Sequence, residues 1–565
     1  MAIKQLLTAA CLLGLAFAVH EDHLVSRKLN KRFIDDTGNY NISFYHINDV
    51  HAHLDQYTSS GTDCTDPKKG CFGGYSRVKT ILKETRPSHP DSLLLNLGDE
   101  FQGTMFFSFY GGEKIADTLN EIGFDAMTLG NHEFDRGDDY LGEFLENLTF
   151  PIVSANIVTD NKVLNRTIKP FHIFPEYELA IIGVTTDTTP SISSPGKNTI
   201  FNDPIVAVQN TVDLIRATTN ITRIAAITHI GYDVDQRLAK ETSGLYFIMG
   251  GHSHTPLGDF EGAAGPYPTI VENKDGDEVF IVTAYRWGEY FGYIDVTYDA
   301  QGKVLAYHGA PIHLTNATAQ DEGLQKEIDE WRVPFEEYSK QEVGYSNVVL
   351  DQTTCQQKEC LLGDFVSDAI LQYRLNSTTP ETAPDFTLIN AGGVRATIDE
   401  GPITRGEVLT SFPFSNAVVD VTISGDKLWN ALEGVVAGVN VDNGKPVTSF
   451  LQVSRGIKIE YGPDSKSQSG KVLVSVTIGG KPLDKAADYK IATMDFVAGG
   501  GDNIFAPFED LVILDTVDEV LVAHIGANTP VDIALDGRLS EVNKCKAGKA
   551  IARRARTRKM EKVSL

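Results

Sequence analysis

Positive charge is scarce in this 565-residue chain: 50 Lys and Arg stand against 76 Asp and Glu, a formal net charge of −26. That balance argues against general binding to nucleic acid or to an anionic membrane surface. It also repels small anions at long range, so any affinity for phosphate must come from local cations. The exception is residues 544–565, with nine Lys or Arg against one Glu. This composition reads as a solvated basic tail, with polyanionic cell walls or glycans as the alternative partner. Cysteine is sparse too, at six. Cys64/Cys71 and Cys355/Cys360 are close pairs in polar, loop-like sequence, and in an oxidising compartment each reads as a short local disulfide. Metal binding by Cys355 and Cys360 would need partners not evident nearby. Cys11 lies in the leader, and Cys545 is left free or available for an intermolecular bridge.

Long apolar runs are missing beyond the N-terminus. The run Leu6 to Ala18, behind Lys4 and ending in Ala16-Phe17-Ala18, is too short to span a bilayer and reads as a secretory signal over residues 1–18. Residues 19–40 form an extension in which Lys31-Arg32 is a dibasic processing site or an ordinary charged segment. The C-terminus has no hydrophobic tail of the kind a lipid-anchor signal needs. Six sequons, at Asn41, Asn147, Asn165, Asn220, Asn316 and Asn376, agree with export. The expected product is secreted and extracellular, without a stable membrane anchor, and cell-wall association is left open.

What is present is α/β material. A hydrophobic content of 42% with 50 glycines over this length suits two α/β domains. Short apolar strands end repeatedly in metal-capable residues. The strand from Asn41 to His46 leads to Asp49 and His51, two apart and able to meet one cation. The buried run Asp91 to Leu97 leads to Gly98-Asp99. Phe124 to Thr128 leads to Leu129-Gly130-Asn131-His132-Glu133-Phe134-Asp135, which offers an amide oxygen, an imidazole and a carboxylate in reach of that ring. Ile224 to Thr228 delivers His229, and Tyr246 to Gly250 delivers Gly251-His252-Ser253-His254. Any one of these alone reads as a loop residue. Five in succession, at the strand ends where α/β ligands gather, point to a metal centre.

This ordered set resembles the 5′-nucleotidase family of secreted and surface metallophosphoesterases, and the resemblance covers nearly the whole chain beyond the leader. It implies an N-terminal four-layer α/β/β/α metallophosphatase sandwich over residues 41–320, a linker helix over 321–341 and a C-terminal α/β substrate-binding domain over 342–545, before a tail at 546–565. It further implies two divalent ions, zinc foremost with manganese, cobalt or magnesium as alternatives. Asp49, His51, Asp99 and His254 would hold one, and Asp99, Asn131, His229 and His252 the other. His254 is Gln or Asn in many relatives, which bears on metal preference. By the same resemblance a water between the ions attacks phosphorus, and His132 held by Asp135 is the catalytic dyad. His46, His53 and Glu133 match no site position; packing or solvent contact suits the two histidines, and Glu133 stays outside the site.

The segment Asp321 to Gln341 carries Leu324, Ile328, Trp331 and Phe335 at helical spacing, interrupted by Pro334, as an amphipathic connecting helix would. Beyond it, the strand Phe386 to Ile389 runs into Asn390-Ala391-Gly392-Gly393-Val394-Arg395, where the Gly turn can bring Arg395 to an anion and Asn390 to a base edge or phosphate. The family match makes Phe414 and Phe496 a clamp on the nucleobase and Asp502 the partner of the ribose hydroxyls. Stacking of this kind tolerates different bases. One departure is Gln356, where some relatives have Arg, which leaves weaker phosphate binding or Lys358 as a substitute. The expected activity is hydrolysis of the 5′-phosphate of nucleoside monophosphates such as AMP. An apyrase-like ATP/ADP or nucleotide-sugar hydrolase is the alternative, and a non-catalytic secreted binding protein ranks below both. A nucleotide is the expected partner. The oligomeric state is open, a homodimer included.

Overall fold

The computed structural model describes residues 39–543, apart from 60, 65–67, 69, 415, 510, 512 and 513. The leader, the Lys31-Arg32 site, Cys545 and the basic tail lie outside these residues.

Two sheets build the first part. One runs in the order Val304–Gly309, Tyr290–Tyr298, Tyr40–Ile47, Ser92–Asn96, Ala126–Thr128, Ile152–Val153, Ile168–Lys169, with Ile312–His313 pairing Tyr290–Tyr298 as its eighth strand. The other runs Thr269–Glu272, Glu278–Thr283, Phe247–Gly250, Arg223–His229, Leu179–Thr185, Phe171–Phe174. Their central strands are parallel and almost wholly buried, so they lack the apolar/polar alternation of a strand with one wet face. Phe44, Leu93, Leu95 and Val153 of the first sheet pack against Ile181, Ala225, Phe247 and Met249 of the second, with Phe44 and Phe247 ring centroids 5.1 Å apart. The opposite faces are covered by helices. Tyr75–Thr85 and Glu113–Ile122 pack on the first sheet, and Pro204–Thr218 and Tyr232–Glu241 on the second. The four-layer α/β/β/α sandwich expected from the resemblance is therefore present. Glu113–Ile122 shows how such a layer is encoded: Ile115, Ala116, Leu119 and Ile122 fall on one face, and Gly123 ends the helix in the left-handed conformation.

Helix Glu322–Ser339 follows, capped by Asp321, whose Oδ1 accepts from Leu324 N at 3.1 Å. Arg332 ties it to the first part through Asp55 at 2.8 Å and Asp63 at 2.6 Å. The expectation of an interruption at Pro334 is corrected. The helix runs through it, because Pro334 lies on the exposed side and Leu324, Ile328 and Phe335 are buried on either side of it. The second part contains a mixed sheet Val418–Ser424, Asp488–Met494, Phe386–Asn390, Leu451–Val453 and a second four-stranded sheet Lys481–Pro482, Lys471–Ile478, Ile457–Pro463, Leu539–Glu541. The disulfides Cys64–Cys71 and Cys355–Cys360 are both formed. All six sequon asparagines are exposed, and no helix among the described residues is long and apolar enough to cross a membrane.

Candidate active site

The parallel register brings the carboxyl ends of Tyr40–Ile47, Ser92–Asn96 and Ala126–Thr128 side by side, with Ile47 opposite Asn96 and Asn96 opposite Met127. The turns that follow carry Asp49 and His51, Asp99, and Asn131 and His132. Their packing needs glycine: Gly98 has φ +84°, and a Cβ there would stand 2.3 Å from Gly130 N. From the second sheet, the ends of Arg223–His229 and Phe247–Gly250 bring His229, His252 and His254 to the same point.

The seven side chains converge. His254 Nε2 lies 3.1 Å from His51 Nε2 and 3.3 Å from Asp49 Oδ1. His229 Nε2 lies 3.0 Å from Asp99 Oδ2 and 3.8 Å from Asp49 Oδ1. Asp99 is within ligand-sharing range of His51, His132, His229 and His252. Backbone carbonyls aim the rings: His51 Nδ1 donates to Phe101 O at 3.1 Å and His229 Nδ1 to Leu97 O at 2.7 Å, which turns both Nε2 atoms toward the centre. Asp49, His51, Asp99, His252 and His254 all have positive φ, a conformation costly for these residues and held here by the surrounding turns.

Divalent metal ions belong to this fold, and the residues present fit them. Asp, Asn and His are a hard-to-borderline donor set. Asn131 Oδ1 is buried with no hydrogen-bond partner among the described residues, as an atom reserved for a cation would be, and His229 Nε2 faces only the Asp99 and Asp49 carboxylates. Burial disfavours a proton on His229, yet the Asp99 and Asp49 carboxylates outweigh it and push it up to about 10. Positive charge is thus demanded at this point, and a divalent ion supplies it in place of the proton. Burial and the neighbouring His229 charge hold His252 down to about 4, and burial first also holds His51 and His254 below their ordinary value. Neutral imidazole is the ligating form.

Beside the cluster, His132 Nδ1 meets Asp135 Oδ2 at 2.7 Å, and its backbone N–H donates to Asp99 Oδ1 at 2.9 Å. Burial works against a proton on His132, but the Asp135 and Asp99 charges prevail and raise its affinity for one. The other oxygen of Asp135 accepts from Ser193 Oγ at 2.6 Å. Ser193 has no motif around it and escapes a reading from sequence. Glu133 matches no site position in sequence, yet it is fully buried and shapes the site: its oxygens accept from the backbone N–H of Asp99, Glu100 and Gly130 at 3.0, 2.7 and 2.6 Å, and of Phe101 at 3.4 Å. His46 and His53 are buried away from the cluster. His46 bonds Tyr267 Oη at 2.9 Å, and His53 bonds the carbonyls of Val50 and Gly61.

A cleft of about 400 Å³ joins this cluster to the second part of the chain. Asn390, Arg395, Phe414, Phe496 and Asp502 all line it, as do Asp99, Asn131, His132, Asp135, His252 and His254, whereas Lys358 does not. The Phe414 ring stacks 5.6 Å from His132, and Arg395 donates to His51 Nε2 at 3.2 Å. Asp502, at φ +55°, accepts from Asn390 Nδ2 at 2.6 Å and from Thr448 Oγ1 at 2.7 Å. Gln356 Oε1 accepts from Phe450 N at 3.0 Å, so this neutral residue is engaged with the wall of the cleft. A second cation, Arg286, lines the cleft and is not among the sequence candidates.

A four-layer sandwich with an Asp/Asn/His cluster at its strand ends, facing a second α/β unit across a cleft, defines a two-part metallophosphoesterase. Residues 42–256 match the calcineurin-like phosphoesterase family, and residues 342–510 match the 5′-nucleotidase C-terminal domain. The Homo sapiens 5′-nucleotidase is 33% identical over 531 residues, 89% of this chain and 91% of its own. The snake venom 5′-nucleotidase of Naja atra is 35% identical over 495 residues, 83% of this chain and 92% of its own. The crystal structure of a 5′-nucleotidase precursor from Thermus thermophilus matches with a TM-score of 0.80 at 31% identity, covering 89% of this chain and 100% of that one. The chain belongs to the 5′-nucleotidase family and is a phosphoric monoester hydrolase.

Proposed function

We propose that this chain is an exported nucleotidase that removes the 5′-phosphate of nucleoside monophosphates, AMP foremost, with two divalent ions, zinc before manganese, cobalt or magnesium. The carrying observation is that one cleft holds the Asp/Asn/His cluster on one wall and two aromatic rings with Asp502 on the other. Asp49, His51, Asp99 and His254 would hold one ion and Asp99, Asn131, His229 and His252 the second. Bound ions supply Lewis-acid neutralisation of the phosphoryl oxygens and a nucleophilic water at neutral pH.

The chain's own residues do the rest. Phe414 and Phe496 grip the base by its faces, which is tolerant of base identity, and Asp502 accepts from the ribose hydroxyls. Arg395 offers planar N–H donors to the phosphate. His132, oriented by Asp135 and through it by Ser193, carries a positive charge toward the phosphoryl group and holds a proton within reach of the departing nucleoside oxygen. Export rests on the leader, on the two disulfides and on six exposed sequons.

Phosphate release from AMP, ADP, ATP and a nucleotide sugar, with and without a chelator, tests the reading. AMP as the best substrate, with activity lost to the chelator and restored by zinc, manganese or cobalt, is expected. Preference for ADP or ATP would move the chain to an apyrase-like activity, and no release from any of them would leave a binding protein.

A further inference from the structure

The turn Tyr285-Arg286-Trp287 has φ +65° at Tyr285 and +56° at Trp287, a strained conformation for two bulky aromatics. It persists because it is pinned to the first strand-end turn. Asn48 Nδ2 donates to Tyr285 O at 2.7 Å, Asn48 Oδ1 accepts from Ala284 N at 2.8 Å, and Trp287 N donates to Asp49 O at 2.7 Å. Trp287 is itself buried, stacked 4.8 Å from His53 and edge-on to Tyr57. Arg286, between them, is therefore fixed relative to Asp49.

Its guanidinium carbon lies 3.9 Å from the centroid of the Trp287 ring and 5.2 Å from that of Tyr285, a cation held against aromatic faces. Among the described residues no carboxylate pairs with it, and its buried Nε has no hydrogen-bond partner. A cation half-removed from water without a counter-anion is costly unless something else pairs with it. Arg286 and Arg395 are the only Lys or Arg among the described residues that line the cleft, and they belong to opposite walls.

We propose that Arg286 is a phosphate-binding residue. It meets the anionic oxygens of the substrate's phosphate, and of the released orthophosphate, from the metal-cluster wall while Arg395 meets them from the other. An anion between them pairs with both cations at once. Because Arg286 is fixed to Asp49 and lies apart from the aromatic clamp, it serves any nucleotide equally and contributes nothing to nucleoside affinity. This rests on the nucleotidase reading above for the choice of ligand alone.

The test compares full-length, zinc-loaded wild type with Arg286→Ala and Arg286→Lys. Three quantities are read: KM for AMP, binding of inorganic phosphate by calorimetry, and binding of adenosine, with metal content recorded. Arg286→Ala is expected to weaken both AMP and phosphate by about 10- to 100-fold, as loss of a hydrogen bond to a charged group does. Arg286→Lys should recover part of the loss, with adenosine binding and metal content unchanged in both. Phosphate binding by Arg286→Ala within twofold of wild type would overturn the proposal. So would a joint loss of phosphate, adenosine and metal in both variants, which would mark Arg286 as a support for its turn. If wild type bound phosphate but released none from AMP, the nucleotidase reading would fall while the calorimetry still decided Arg286.

Discussion

Glu133 offers the sharpest check on how the site is built. Both of its oxygens take two backbone donors, Gly130 and Asp99 on Oε2, Glu100 and Phe101 on Oε1. With every lone pair engaged there is no place for a proton, so the group is held as a carboxylate although burial pushes its proton affinity up. Glu133→Gln keeps the shape but turns one oxygen into an NH2 that faces two N–H donors. Two hydrogen bonds to a charged group are lost, each worth about 1.5–3 kcal/mol, or about 3–6 kcal/mol together. At about 2 °C per kcal/mol for a domain of this size, the melting midpoint of the metal-bound protein should fall by about 6–12 °C. The same change loosens the turns bearing Asp99 and Asn131, so metal content should fall and turnover with it. Differential scanning calorimetry with metal analysis reads both. A Glu133→Gln protein that melts and binds metal as wild type does would refute the idea that this carboxylate braces the cluster.

Three further outcomes are expected. Asp99→Asn should be the most damaging ligand change, because Asp99 adjoins His51 on one side and His229 and His252 on the other. Near-wild-type turnover with normal metal content would dissolve the two-ion assignment. His132→Ala should keep its metal and lose about 10²- to 10⁴-fold in turnover, the range of a positioned acid or base; a small loss would remove His132 from the chemistry. Asp321→Ala removes the cap of helix Glu322–Ser339 at a cost of about 1 kcal/mol. Its carboxyl is lowered from 3.8 to about 2 because the Lys83 bond and the helix N–H of Leu324 outweigh burial. A depressed carboxyl stabilises fully above its unfolded value and loses that effect as pH falls through the folded one. The melting gap between wild type and variant should thus be whole above about pH 4 and shrink away as pH falls through about 2, and a gap unchanged across that window would remove the charge from the account.

What could be read from sequence depended on how local the determinant was. Asp49, Asp99, Asn131, His229 and His252 each follow an apolar strand directly, so residue type and strand end together gave them away. That two sheets bring those ends to one point required the parallel registers and the Phe44–Phe247 contact, which no short pattern carries. Arg286 was invisible for the same reason: its place is fixed by a hydrogen bond between Trp287 and Asp49, far apart in the chain, and by two positive φ angles at aromatic residues. Ser193 sits in a short loop of ordinary composition, and only Asp135 gives it meaning. Glu133 lay inside the clearest motif of all but makes its contacts with backbone N–H groups, which sequence does not distinguish. Pro334 misled because propensity favoured a break, and burial of Leu324, Ile328 and Phe335 overrode it.

The −26 net charge and a phosphate substrate pull in opposite directions, and the cleft reconciles them. Its carboxylates are already engaged: Asp99 with His229 and the His132 N–H, Asp135 with His132 and Ser193, Asp502 with Asn390 and Thr448. Its two arginines have no carboxylate partner among the described residues. With divalent ions bound at the cluster, these arginines would make the cleft locally attractive to phosphate although the protein as a whole is acidic. The two contributions differ in range, since screening acts over about 30 Å at 0.01 M salt and about 8 Å at 0.15 M. Added salt therefore suppresses the long-range repulsion of AMP first and leaves the close arginine contacts largely intact. On this account kcat/KM for AMP should rise as salt increases from about 0.01 to about 0.15 M, whereas kcat, which reports the bound state, should stay flat. A steady fall of kcat/KM over that range would mean that the cations of the cleft govern the approach of the substrate from a distance, and the division between a repelling exterior and an attracting cleft would be wrong.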